Sequence, residues 1–139
     1  MKAIQVSAAA IISNSKIFIA QRNREDELAG KWEFPGGKIE AGESPKECLR
    51  RELFEEFRID TEILDFFGES WFDYGQKHIH LVGYLVQHLS GDFSLQVHEN
   101  YQWISINELD KIDWAPADVK LAEQLRTKLL SQQFINRFL

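Results

Sequence analysis

The sequence predicts an α/β (α+β) fold, an α/β/α sandwich in which a central mixed sheet lies between outer helices. Three observations predict it. Short β-rich runs separated by turn residues recur along the chain. Two amphipathic segments carry apolar residues every four positions, one mid-chain and one near the C-terminal end. No linker, internal repeat or low-complexity tract divides the chain, so residues 1–139 read as a single domain.

Ile4 to Ile12 and Lys16 to Arg22 are the first two strands, and Ser13-Asn14-Ser15 between them is turn chemistry that pairs them as a hairpin. The opening run from Met1 has the small residues and short apolar stretch of a signal peptide. Ile4, Val6 and Ala8 alternate at period two, however, so the run is read as a strand. Asn23 to Lys31 is a polar loop, Trp32-Glu33-Phe34 is strand-like, and Pro35-Gly36-Gly37 breaks the pattern, with glycines that allow a tight turn and a close approach to a ligand.

Ser44 is a good N-cap, Pro45 suits the first helical position and Glu47 completes a Ser-x-x-Glu capping box, which predicts a helix from Pro45 to Phe57. Leu49, Leu53 and Phe57 form its apolar stripe, widened by Cys48. Glu62 to Tyr74 and His78 to His88 are a second hairpin around Gly75-Gln76-Lys77, and Tyr101 to Ile106 is a further strand. A C-terminal helix runs from Pro116 to Phe134, with Leu121, Leu125 and Leu129 at four-residue spacing and Ala122 beside them.

At 44% hydrophobic and 12% aromatic, the 139 residues can fill one core. The net charge of −6 and the absence of a Lys/Arg block argue against a nucleic acid polymer or an anionic membrane as partner. An acidic protein acting on a polyphosphate would need bound cations to screen it. Cys48 is the one cysteine, so no internal disulfide forms, and a reducing cytoplasm is the expected location. No stretch approaches the roughly 18 to 20 apolar residues that span a bilayer.

Glu52, Glu55 and Glu56 stand at i, i+3 and i+4, which gathers three carboxylates on one side of the helix. Taken alone, they could be a solvated face. In front of them the order is Gly37, five residues, Glu43, seven residues, Arg51-Glu52-Leu53-Phe54-Glu55-Glu56-Phe57, then Arg58 and Ile59. This resembles the Nudix box, with every fixed position met except the last Gly, which is Arg58 here. A left-handed C-cap at Arg58 would cost on the order of 1 kcal/mol unless the helix ends differently.

The resemblance implies a Nudix-type sandwich and a Mg²⁺ cofactor, with Mn²⁺ as an alternative ion. It assigns Glu52, Glu55, Glu56, the Gly36 carbonyl and the distal Glu99 as metal ligands. Arg51 would hold neighbouring carboxylates in place, and Glu43 would assist them or bind metal itself. Glu52 and Glu99 are the candidate general bases, though Glu99 can also be read as an ordinary loop glutamate. Nearly the whole chain is similar to the MutT-like branch, through Gln21-Arg22, Gly30 to Glu40 and Trp114-Ala115-Pro116-Ala117-Asp118.

That branch implies hydrolysis of a nucleoside triphosphate to a monophosphate and pyrophosphate, by a monomer or homodimer, and suggests sanitation of the nucleotide pool. Arg22 and Lys38 are candidate phosphate contacts. Phe34 is either a base-pocket or a core aromatic. Asp118 stands where the oxidised-guanine branch carries Asn; an ionised Asp only accepts, which favours a base offering a donor, such as the N4 amine of cytosine. CTP, dCTP or a 5-substituted dCTP therefore comes first, with 8-oxo-dGTP as the alternative, since a purine or a protonated Asp also fits. A nucleotide-sugar hydrolase and a binding-only nucleotide module are the rival classes. His78, His80, His88 and His98 are read as surface or pocket histidines. Trp71, Trp103 and Trp114 are read as packing residues, and Trp32 lies near enough to the glycines to touch a ligand.

Overall fold

A computed structural model describes residues 3–25 and 27–138; Met1 and Lys2, which open the first run, lie outside the described residues. The elements are β1 (Ile4–Ser13), β2 (Lys16–Gln21), β3 (Trp32–Glu33), β4 (Gly36–Lys38), α1 (Pro45–Phe57), β5 (Asp60–Asp73), β6 (His78–Ser90), β7 (Asn100–Ile104), a 3₁₀ helix (Ile106–Lys111) and α2 (Pro116–Phe138). The expected strand Tyr101 to Ile106 stops at Ile104 because Ser105 and Glu108 form a reciprocal capping box that starts the 3₁₀ helix.

The strands form one mixed sheet with the path β3-β2-β1-β6-β5; β4 adds to β1 and β7 to β2. The first hairpin closes through Asn14 and Ser15, at φ 50° and 63°, as a two-residue hairpin turn requires. Its pairing is short, Ile12 with Ile17 and Ser13 with Lys16. Along the rest of its length β1 instead runs parallel to β6, from Ile4 opposite Ile79 to Ile11 opposite Val86. β1 is thus a central strand, buried on both faces.

The strand period divides the core. Ala8, Ala10, Ile17 and Ile19 face α2, where they meet Leu121, Ala122 and Leu125. Ala9, Ile11, Phe18 and Ala20 face the other way, onto Leu49, Leu53 and Phe57 of α1. Each helix therefore covers one face of the sheet, as the sandwich requires. No helix among the described residues is long and apolar enough to cross a membrane.

Two expectations change. Gly36 and Gly37 do not turn; they lie in β4, paired with Ala8 and Ser7. Their lack of side chain serves close packing instead, since a Cβ on Gly36 would overlap the Ser7 carbonyl and one on Gly37 the Glu52 carboxyl. Trp71 is not a core residue: it is 62% exposed and stacks on His80 at the surface. Trp114 is buried, and Trp103 packs against the α1 side of the core.

Candidate active site

α1 presents its glutamates to β4 because the capping box at Ser44 and Glu47 fixes where the helix begins. One turn on, Arg51 gathers the carboxylates. Its Nε donates to Glu43 Oε2 at 2.6 Å and its Nη2 to Glu43 Oε1 at 2.9 Å, a two-point grip on one carboxylate. Its Nη1 donates to Glu52 at 3.0 Å and to Glu55 at 3.3 Å, and Nη2 also reaches the Lys38 carbonyl at 3.4 Å. The hydrogen bond from Arg51 holds the Glu43 carboxyl at about 2, while Glu43 and Glu52 push the Arg51 guanidinium up. Behind this cluster the Ser7 hydroxyl donates to the buried Cys48 sulfur at 3.0 Å.

Glu56 sits deeper. Burial, then a hydrogen bond with Glu52 and the charges of Glu52, Glu33 and Glu55, push its carboxyl up to about 9. Its Oε2 is buried without a hydrogen-bond partner. A carboxylate so placed holds a proton or a cation. Among the described residues no three His, Cys, Asp or Glu side chains are arranged to hold a metal ion. Glu52, Glu55 and Glu56 are nonetheless hard oxygen donors on one helix, the ligand chemistry that Mg²⁺ takes.

The cleft above Glu56 is lined by Arg22, Glu33, Phe34, Gly36, Gly37, Lys38, His98 and Asp118. It continues into a second pocket of about 200 Å³, walled by Arg22, Glu33, Leu81, Tyr74, Ala117 and Asp118. The structure therefore brings Gly36, Glu56, Arg22, Lys38, Phe34 and Asp118 to one connected cleft; Glu52 lies against Gly37 and Glu56, and Arg51 ties it to the more exposed Glu55. Phe34 is largely a core aromatic, buried and stacked on Trp114 with ring centroids 4.6 Å apart. Trp32 is partly buried against the same core. Asp118 is buried at the start of α2, where its Oδ2 accepts the Phe34 N–H at 3.0 Å. Burial and the neighbouring Glu33 raise its carboxyl well above the usual range, against the pull of the Phe34 N–H and Arg22.

Glu99 is turned elsewhere: its Oε1 accepts from Arg24 at 2.8 Å, and its N–H donates to the Gln21 carbonyl. Its neighbour His98 enters the cleft instead. His98 Nε2 lies 2.6 Å from Glu33 Oε2, and the other Glu33 oxygen accepts from Arg22 at 2.6 Å. Sequence reasoning left His98 among four surface or pocket histidines and gave Glu33 no role in the site. Glu33 was legible in principle, as a charged residue inside a strand-like run, whereas nothing at the sequence level distinguishes His98 from a loop histidine. His78 and His80 pair with Asp73 and Glu69 away from this cleft.

A model of the NUDIX domain matches residues 3–125. The chain is 37% identical over 123 residues to a CTP pyrophosphohydrolase of Escherichia coli, covering 88% of this chain and 91% of that protein. It is 33% identical over 127 residues to an 8-oxo-dGTP diphosphatase of the same organism, covering 91% and 98%. The solution structure of the E. coli ORF135 protein superposes with a TM-score of 0.83 at 35% identity, covering 91% of each chain.

Proposed function

The chain belongs to the Nudix hydrolase family, and we propose that it hydrolyses a nucleoside triphosphate to the monophosphate and pyrophosphate with Mg²⁺, as a single cytoplasmic domain. The observation that carries this reading is the buried Glu56 oxygen, without a hydrogen-bond partner, in a cleft that runs on to Asp118. Two relatives whose printed names are a CTP pyrophosphohydrolase and an 8-oxo-dGTP diphosphatase support the same reaction class.

Glu52, Glu55 and Glu56, with the Gly36 carbonyl, would hold the ion; Glu99 joins them if its carboxylate leaves Arg24. An ion held there would supply charge neutralisation of the phosphoryl oxygens and acidification of a water. Arg51 fixes Glu52 and Glu55 and so pre-orients the oxygens that meet the ion. Glu52 or Glu99 takes the proton from the attacking water. Arg22 and Lys38 line the cleft and supply positive charge toward the phosphates.

At the base end, burial and Glu33 raise the Asp118 carboxyl well above the usual range; in its protonated form it would offer a donor beside the Glu33 acceptor. Adjacent N4 amine and N3 of cytosine match that pattern and put CTP or dCTP first. N7–H and O6 of 8-oxoguanine match it as well, which keeps 8-oxo-dGTP as the second reading.

Pyrophosphate release from CTP, dCTP, 5-methyl-dCTP, 8-oxo-dGTP, dGTP and ATP, with Mg²⁺ and with EDTA, tests the proposal. Wild type should turn over at least one of them only with the metal, and Glu56→Gln should abolish that turnover. A folded, metal-loaded protein inert on the whole panel would redirect the reading to nucleotide sugars or a binding module.

A further inference from the structure

We propose that His98 is a positioning residue that ties the base pocket to the Glu56 carboxylate, so that seating the correct base is expressed in the rate of the chemical step. This rests on the reading of the cleft as a nucleoside triphosphatase site. The imidazole stands between two carboxylates that belong to different halves of that cleft. Its Nε2 is 2.6 Å from Glu33, which shares the base-end wall with Asp118 and is itself gripped by Arg22. Its Nδ1 is 3.6 Å from Glu56 Oε2.

The ring cannot choose another direction. It is held face-on by Phe57, with centroids 5.3 Å apart and planes 14° from parallel, and Phe57 is a fully buried residue of α1. The Glu33 contact fixes the remaining rotation. Nδ1 and Glu56 Oε2 lie 3.6 Å apart, and both are buried side-chain atoms without a hydrogen-bond partner. Two orphaned polar atoms facing across a short gap are costly unless a closer state of the site satisfies them. Any shift of Glu33 or Arg22 as a base enters moves the imidazole, and with it the position that Glu56 can adopt.

A residue that merely fills space is distinguishable from one that couples. His98→Phe keeps the stack on Phe57 and removes both nitrogens, whereas His98→Gln retains an N–H donor toward Glu33. Three measurements on the full chain separate the readings: kcat and KM individually for the best and worst nucleotides of the panel, Mn²⁺ affinity of nucleotide-free protein, and a double-mutant cycle with Glu33→Gln.

In His98→Phe the kcat advantage of the best base should shrink about tenfold while the ratio of KM values stays within about twofold. Mn²⁺ affinity should weaken about tenfold, the usual effect of losing a group that orients a ligand. His98→Gln should recover part of both losses, and in Glu33→Gln the His98→Phe change should add less than about twofold. Wild-type kcat ratios and Mn²⁺ affinity in folded His98→Phe, or fully additive effects in the cycle, would overturn the coupling and leave His98 a packing residue. If His98→Phe does not fold, the His98→Gln and Glu33→Gln arms decide on the same criteria. A wild-type protein inert on the panel would instead sink the triphosphatase reading, and the Mn²⁺ arm would still decide whether His98 supports Glu56.

Discussion

The main-chain N–H of Phe34 donates to Asp118 Oδ2 at 3.0 Å although 84 residues separate the two in sequence. This bond pins the start of α2 to the end of β3 and fixes which Asp118 oxygen remains for a ligand. Asp118→Ala would leave a buried N–H without an acceptor, at a cost of about 1–3 kcal/mol. Asp118→Asn keeps an acceptor oxygen and should hold stability within about 1 kcal/mol of wild type. Urea unfolding at pH 7 checks both, and equal losses in the two variants would mean that the bond contributes nothing of its own.

The Glu56 carboxyl, raised by burial and by Glu52 to about 9 in the fold against 4.5 when unperturbed, makes metal-free stability pH-dependent. Between those values the native state binds more protons than the unfolded chain, so stability falls as pH rises through the window. Asp118, also raised, adds in the same direction. Glu43, lowered to about 2, acts oppositely and only at acid pH, where its contribution is lost as pH falls. Thermal unfolding in EDTA should therefore show a falling Tm from about pH 5 to 9. Glu56→Gln should flatten most of that slope, and Mg²⁺ should stabilise wild type more at pH 9 than at pH 6. A slope unchanged in Glu56→Gln would assign it to Asp118.

Most of the framework was legible because local chemistry and global packing agree. The Ser44-Pro45-Glu47 start placed α1 to the residue, and its apolar stripe is the one the sheet buries. The extended Gly36-Gly37 segment was harder to read, since pairing with β1 and the approach of Glu52 decide it, whereas the boundary at Ile104 had a local signal in the Ser105-x-x-Glu108 capping box. The box glutamates were singled out by the resemblance to the Nudix box, since their helical spacing alone also fits a solvated face. His98 and Glu33 were not, because their meaning lies in a contact across 65 residues that no local pattern encodes.

Arg58 ends α1 at φ 60° and ψ 37°, with its N–H bonded to the Phe54 carbonyl. The left-handed cap is therefore present without the glycine that would make it easy. The strain is on the order of 1–2 kcal/mol, partly offset by the guanidinium 5.5 Å from the Phe54 ring, a contact worth roughly 0.5 kcal/mol at an exposed site. Arg58→Gly should gain about 1 kcal/mol and raise Tm by a few degrees. Because Arg58 follows the carboxylates and touches none of them, kcat should be unchanged. Calorimetry on the two proteins decides it, and a lower Tm in Arg58→Gly would show that the arginine compensates its own strain.

Gly36 and Gly37 are adjacent in β4 yet should fail in different ways when changed to alanine. A Cβ on Gly36 would overlap the carbonyl of Ser7, a main-chain atom of the central strand β1 that cannot retreat without breaking the ladder. Gly36→Ala should thus lose about 3 kcal/mol or more and be poorly folded. A Cβ on Gly37 would overlap the carboxyl of Glu52, the far end of a side chain that can rotate away. Gly37→Ala should fold with a modest loss of stability, but with Glu52 displaced from Arg51 and Glu56. A displacement of about 1 Å at a reacting group costs about 100-fold in rate. Far-UV circular dichroism, Tm and pyrophosphate release, measured on both variants, separate the two effects. If Gly37→Ala retains full turnover, the Glu52 carboxylate is not needed where α1 now holds it, and the general-base role passes to Glu99.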